Sequence, residues 1–255
     1  MKKNKIIIVN SDDFGISDSV NTAIVNAFEH GCISSTTLMA SMPGFLDAAE
    51  KANTIPALKN SIGLHLNLTE GTPLTEGIKK CPFFCTDGLF SYQRQKPVFF
   101  LSGDEKRAVY QEVRAQLKRL MDNKIIPTHL DGHHHVHTEF GIINVYLAAA
   151  KEFGINKVRI SKNVGKTSKL KSIYKTIFNT YVRSRFSMIT TDLFCSANEY
   201  ADIMNDPGVA DKNIEIMVHA MLNEKNEIVD IDKVNLQSKM KPLLQNKTIQ
   251  SFYAL

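Results

Sequence analysis

At 255 residues, 43% of them hydrophobic and 22% charged, the chain has the make-up of a globular protein able to bury one large core. No apolar run approaches the roughly 18 residues of a membrane-spanning helix, and Ile6–Val9 is too short for a secretory leader, so a cytoplasmic protein is expected. The net charge of +5 is uneven: nine Lys/Arg and no Asp/Glu lie between Phe153 and Thr191, which leaves the rest of the chain at −4.

That basic block could serve nucleic acid, but its aromatics (Tyr174, Phe178, Tyr181, Phe186) fall near helical spacing, which suits packing. A solvated helix pair, or the wall of a site for an anionic or sugar-like ligand, is the stronger expectation, with no nucleic-acid or membrane partner. The four cysteines, Cys32, Cys81, Cys85 and Cys195, lack the paired spacing of a zinc knuckle. Free thiols are expected, and any metal should take nitrogen and oxygen ligands.

Residues 5–10 form a short β-branched run that reads as a buried strand, with Asp12-Asp13-Phe14-Gly15 at its C-terminal end. Ser17 or Asp18 then caps a helix that Gly31 ends. A strand over 33–41 stops at Pro43-Gly44, and a helix follows over 45–53. Residues 61–69 alternate, with Ile62, Leu64, Leu66 and Leu68 on one face and Gly63, His65, Asn67 and Thr69 on the other. The polar face is expected to point into a cavity.

Residues 71–101 form a long Gly/Pro-punctuated connection of the kind that works as a lid or binding loop. Ser102-x-x-Glu105 is a capping box that opens a helix. Pro127 leads into the His-rich stretch. A helix over 141–153, a strand over 157–161, a helical basic block, a strand over 187–194, a strand over 213–219 ending in His219, and a last helix over 232–245 complete the chain, with a further strand expected over 248–253. There is no repeat and no linker, so one domain over 1–255 is expected. The β–α alternation with about seven strands argues for an α/β fold with a parallel sheet or barrel, where active sites gather at strand C-terminal ends.

Residues 128–137, Thr-His-Leu-Asp-Gly-His-His-His-Val-His, carry five of the eight histidines. If extended, they place His129, Asp131, His133, His135 and His137 on one face. Neighbours i and i+2 would stand about 6.6 Å apart and the row would run about 26 Å, so only adjacent pairs such as Asp131/His133 or His133/His135 could share an ion. His30 and His134 are expected on a helix surface and on the back of this strand.

One carboxylate and two imidazoles, from Asp13, His65 and His133, make a set that leaves positions open for water and substrate. Asp12 beside it fits a general base, and His219 a proton donor to a leaving group. Arg159 fits either a clamp on a carboxylate or a substrate contact. Asn67, on the polar face, is a second candidate substrate contact.

Taken together, Asp12-Asp13-Phe14-Gly15, the run Gly63 to Thr69 and the run His129 to His137 resemble the YdjC-like carbohydrate deacetylases, which include the chitooligosaccharide deacetylases. The resemblance extends from the first strand to His219. It implies an irregular (β/α) barrel related to polysaccharide deacetylases, and removal of N-acetyl groups from amino sugars or chitooligosaccharides. It also implies a divalent metal, magnesium first and zinc as the alternative, held by Asp13, His65 and His133 with Asp12 as base, and it brings homodimers into view. The family's last strand usually ends His-Pro-Gly, whereas here it reads His219-Ala220-Met221. A metallophosphatase, another metal-dependent hydrolase and a sugar- or metal-binding protein without turnover are the rival readings.

Overall fold

A computed structural model describes residues 5–95 and 97–255. Strand β1 (Ile7–Phe14) runs into helix α1 (Asp18–Glu29), whose N-cap Ser17 accepts the Val20 N–H. Then come β2 (Ser35–Leu38), α2 (Phe45–Thr54), β3 (Ile62–Leu66), α3 (Gly103–Asp122) and β4 (Leu130–Gly132). The second half supplies α4 (Phe140–Glu152), α5 (Lys169–Phe186), β5 (Leu193–Ser196), α6 (Ala197–Ile203), β6 (Ile214–Val218) and α7 (Leu236–Leu244). The capping box at Ser102/Glu105 forms in both directions.

These six strands form one parallel sheet in the order β4-β3-β2-β1-β6-β5, and two short antiparallel pairs, Cys85–Thr86 with Leu89–Phe90 and Met221–Leu222 with Ile228–Val229, lie outside it. The six sheet strands are buried along nearly their whole length, as a sheet covered by crossover helices must be. The segment expected as a strand over 157–161 reaches only isolated bridges, Leu130 with Val158 and Lys157 with Ile189. It still links the two outer strands: the Arg159 N–H donates to the Leu130 carbonyl and the Asn163 N–H to the Phe194 carbonyl. The sheet is thus a curled, irregular α/β half-barrel bridged by non-strand chain. The expected strand over 187–194 begins only at Leu193, and the one over 248–253 shrinks to a single bridge, Ile7 with Ile249.

The His-rich stretch is not extended to its end. β4 stops at Gly132, and His133–Thr138 coils into a 3-10 segment with His134 and His135 at φ +51 and +57°. The five odd residues therefore do not share a face, and the expected row of side chains does not exist. The long connection packs down where α3 offers a buried carboxylate: Glu112 accepts the Leu74 N–H and both the N–H and hydroxyl of Thr75. The four cysteines are free, and no helix among the described residues is long and apolar enough to cross a membrane.

Gly63 is required by close approach: a Cβ there would sit 2.5 Å from the His129 ring and 2.7 Å from its carbonyl oxygen. Since both are buried and cannot move aside, Gly63→Ala should destabilise the fold by about 1–3 kcal/mol in urea unfolding.

Candidate functional site

The site lies at the C-terminal ends of β1, β3, β4 and β6, and is built around a guanidinium. Arg159 is fully buried and grips Asp12 with two N–H donors, both at 2.7 Å. It also pairs with Asp131 at 2.8 Å and, through Nε, with Glu215 at 2.6 Å. Phe194 lies against its plane, 4.7 Å from ring centre to Cζ. Each of its three nitrogens meets a carboxylate and none is exposed to solvent. Of the two roles open to Arg159, the clamp fits and the substrate contact does not.

Asp131 passes this order on. It takes the Thr37 hydroxyl at 3.0 Å and faces His65 Nδ1 at 2.7 Å. With its Nδ1–H donated to Asp131, the His65 ring leaves the Nε2 lone pair facing away from the clamp. Nε2 stands 3.2 Å from Asp13 Oδ1, and His133 Nε2 stands 3.8 Å from the same oxygen. His133 is held in turn by the Thr69 hydroxyl on Nδ1, at 2.7 Å.

Asp13 is set apart from Asp12 by its backbone. Its φ of +70° is left-handed, a conformation Asp tolerates, and it swings the second carboxylate away from Arg159. Asp13 Oδ1 is buried without a hydrogen-bond partner. A buried carboxylate oxygen that faces two imidazole nitrogens without a formed hydrogen bond is an arrangement a cation suits. The residues expected from the sequence, Asp13, His65 and His133, therefore fit a metal ion.

A second group of possible ligands, Asp12, His65 and Asp131, also lies within reach of one point. Arg159 already occupies both of its carboxylates, and a cation there would meet a buried positive charge. The open set around Asp13 suits an ion better.

Electrostatics follow the same plan. Burial opposes ionising Asp12, but the Arg159 guanidinium outweighs it and holds the carboxyl well below the usual range. Burial opposes charging His65 too, yet Asp131 and Asp13 push it up to about 10, which reports how anionic the spot is. Burial and then His65 push His133 down to about 4, which leaves it neutral. Burial raises Glu215 to about 8 against the pull of Arg159.

His219 stands at the rim, Nε2 4.0 Å from Asp13 Oδ2 and 22% exposed. Its backbone is oriented without a proline: Asp230 accepts the His219 N–H at 2.8 Å, and Ser11 accepts the Ala220 N–H at 3.1 Å. Asn67, expected as a substrate contact, is fully buried with its side chain engaged inside the fold. Its amide donates to Ser41 and to the Glu70 carbonyl, and its oxygen accepts the N–H of Thr69 and of Glu70. It shapes the turn that presents Thr69 to His133.

The remaining histidines separate. His129 stacks on Phe252 at 3.7 Å and His137 is fully buried; burial and then, for His129, Arg159 hold both well below their usual pKa. His134 is exposed against His133, and His30 sits exposed at the end of α1. Sequence reading passed over Glu215, although a lone acid in an apolar strand was its signal. Thr69 was marked by its place on the polar face of residues 61–69, whereas Thr37, Ser11 and Asp230 carried no signal.

The fold and site define an α/β half-barrel protein with a candidate divalent-metal centre at its strand ends. The model of the family described as YdjC-like protein matches residues 6–248, and the chain belongs to that family. A carbohydrate deacetylase of Brevibacillus brevis is 34% identical over 197 residues, 77% of this chain and 70% of that protein. One from Clostridium beijerinckii is 33% identical over 213 residues, 82% and 83% of the two chains. Among solved structures, a proposed cellobiose-phosphate cleavage protein of Enterococcus faecalis aligns over 99% of both chains with a TM-score of 0.76 at 21% identity, which shows the shared fold.

Two outcomes test the clamp. Arg159→Met should cost about 3–5 kcal/mol in denaturant unfolding, because it strands buried carboxylates. Glu215 has a folded pKa raised above its unfolded value, so its stabilising contribution is present below about pH 4.5 and is lost as pH rises to about 8. Glu215→Gln should accordingly flatten the fall of stability with pH across that window, read by unfolding at a series of pH values.

Proposed function

We propose that this chain is a metal-dependent carbohydrate deacetylase that hydrolyses the N-acetyl group of an amino sugar or a short chitooligosaccharide. The observation that carries the reading is the convergence of His65 Nε2 and His133 Nε2 on the unpartnered Asp13 Oδ1. Its context is a family whose named relatives are carbohydrate deacetylases.

Asp13, His65 and His133 would hold the ion. When bound, a divalent cation would polarise the acetyl carbonyl and acidify a water, which is what lets a carboxylate as weakly basic as Asp12 accept a proton. Arg159 keeps Asp12 ionised and immobile, so the acceptor is in place before substrate arrives. His219, on the other side of Asp13 and partly open to solvent, is placed to deliver a proton to the amine as acetate leaves. Two imidazoles and one carboxylate favour zinc or another first-row ion over magnesium, which prefers an all-oxygen shell.

The reading is tested by acetate release from N-acetylglucosamine and N,N′-diacetylchitobiose. Turnover should vanish on dialysis against EDTA and return with zinc or another divalent ion. Asp13→Ala/His65→Ala should lose at least a thousandfold in kcat/KM and should no longer bind the ion in titration calorimetry. Full activity in that double variant would sink the assignment. His219→Ala should lower kcat about 100-fold with the affinity for metal retained, in line with the usual worth of one proton donor.

A further inference from the structure

One carboxylate beside the site has no part in the set around Asp13. Glu70 follows the end of β3 by four residues, and its Oε2 stands 3.8 Å from His133 Nε2. That is the same nitrogen that faces Asp13 Oδ1 at 3.8 Å. The Glu70 side chain is 53% exposed, and among the described residues it meets no lysine or arginine. Asp12, Asp131 and Glu215, by contrast, all belong to Arg159.

The turn that presents Glu70 is fixed by buried polar groups. Asn67 is fully buried, and its side chain holds the Glu70 backbone on both sides: its oxygen accepts the Glu70 N–H at 3.2 Å, and its amide donates to the Glu70 carbonyl at 2.7 Å. Gln116 on α3, also without exposure, holds the Asn67 backbone in the same two-handed way, accepting its N–H at 3.1 Å and donating to its carbonyl at 2.7 Å. Gln116 donates in turn to the buried Glu112, at 2.9 Å. Gly71 then turns the chain with a φ of +73°. A buried network satisfied in this way rigidifies the segment it touches. Here it sets Thr69 on one nitrogen of His133 and Glu70 beside the other. A turn that served packing alone gains nothing from a carboxylate directed back at an imidazole.

We propose that Glu70 is a fourth, displaceable ligand of the cation held at Asp13, His65 and His133. The proposal rests on the reading of those three residues as a metal site and goes beyond it by completing the donor set. Distance decides whether Glu70 can belong. Two donors that each lie about 2.1 Å from one ion stand about 3.0 Å apart at a right angle and about 4.2 Å apart on opposite sides. The contacts Asp13–His65 at 3.2 Å, Asp13–His133 at 3.8 Å and His133–Glu70 at 3.8 Å all fall in that interval. Charge decides what Glu70 does. Asp13 alone offsets half of a divalent charge, because Arg159 has taken the other carboxylates, and Glu70 supplies the second negative charge. A half-exposed side chain can withdraw to admit the acetyl oxygen, and its withdrawal restores positive charge where a carbonyl must be polarised. A fourth protein ligand locked in the interior would instead close the position that a hydrolytic centre keeps open.

The test uses the full chain stripped of metal by chelation and then loaded with zinc or cobalt(II), so that binding is scored apart from turnover. Glu70→Gln keeps the size of the side chain and removes the charged donor. Asn67 holds only the backbone at this position, so the unfolding temperature of the metal-free variant should match that of the parent. Zinc affinity, from titration calorimetry with a competing chelator, should fall at least about tenfold, since even groups that merely support a ligand are worth roughly 10- to 100-fold. The loss should persist in 0.5 M NaCl, and the visible absorption band of the cobalt(II)-loaded chain should change in position or intensity. An affinity within about twofold of the parent with an unchanged band overturns the proposal. So does a loss that disappears in 0.5 M NaCl with the band unchanged, because Glu70 then acts only as a nearby charge. A parent chain that binds neither ion removes the metal site itself and Glu70 with it. Binding that depends on Glu70 without acetate release from any N-acetyl sugar would sink the deacetylase reading and leave the fourth ligand standing.

Discussion

A buried positive charge orders this molecule. Arg159 has no exposure and is surrounded by Asp12, Asp131 and Glu215, which come from three different strands, β1, β4 and β6. In so dry a setting neither sign could be tolerated alone, and removing one partner is far more damaging than replacing the set. The curl of the sheet and the charge balance are therefore coupled: the strands must converge for the guanidinium to be neutralised. The segment carrying Arg159 is the irregular one that spans the outer strands, so the residue that ties the carboxylates together also lies where the sheet needs bridging.

Orientation spreads outward from that pair. Asp12 is fixed directly. Asp131 is fixed and in turn fixes the tautomer of His65, so its Nε2 faces Asp13. A separate chain of contacts, from the buried Asn67 amide through Thr69, does the same for His133. Two independent supports thus bring two imidazoles to one carboxylate oxygen. That oxygen is kept free of Arg159 only because the Asp13 backbone turns left-handed. Strain of this kind persists where the surrounding structure over-determines it, and here it separates a clamped aspartate from an open one.

The unpaired lysines of α5 contrast with this balance. At the strand ends the buried guanidinium is matched by carboxylates, and the Asp13 oxygen left without a hydrogen-bond partner is an anion that a cation would satisfy. In a neighbouring cavity of about 660 Å³, which Lys171 and Lys175 of α5 line, the excess is positive.

What the sequence determined by itself was the part of the structure set by local rules. The β–α alternation, the buried first strand, the capping box at Ser102/Glu105 and the placement of Asp12, Asp13, His65 and His219 at strand ends all follow from periodicity and punctuation, which act over a few residues. The candidate metal set was legible for the same reason, since alternation in β3 separates His65 from its apolar neighbours. Tertiary structure alone decided the rest. Whether Arg159 met a carboxylate or a sugar, and whether Asn67 faced a cavity or a turn, depended on partners more than 25 residues away or on chain curvature. The fate of the His-rich stretch turned on two left-handed residues at 134 and 135. No pattern of side chains encodes that choice: the chain turns tightly around Gly132, where a Cβ would lie 3.1 Å from Val136, 3.2 Å from the His137 ring and 3.3 Å from the Leu66 carbonyl oxygen.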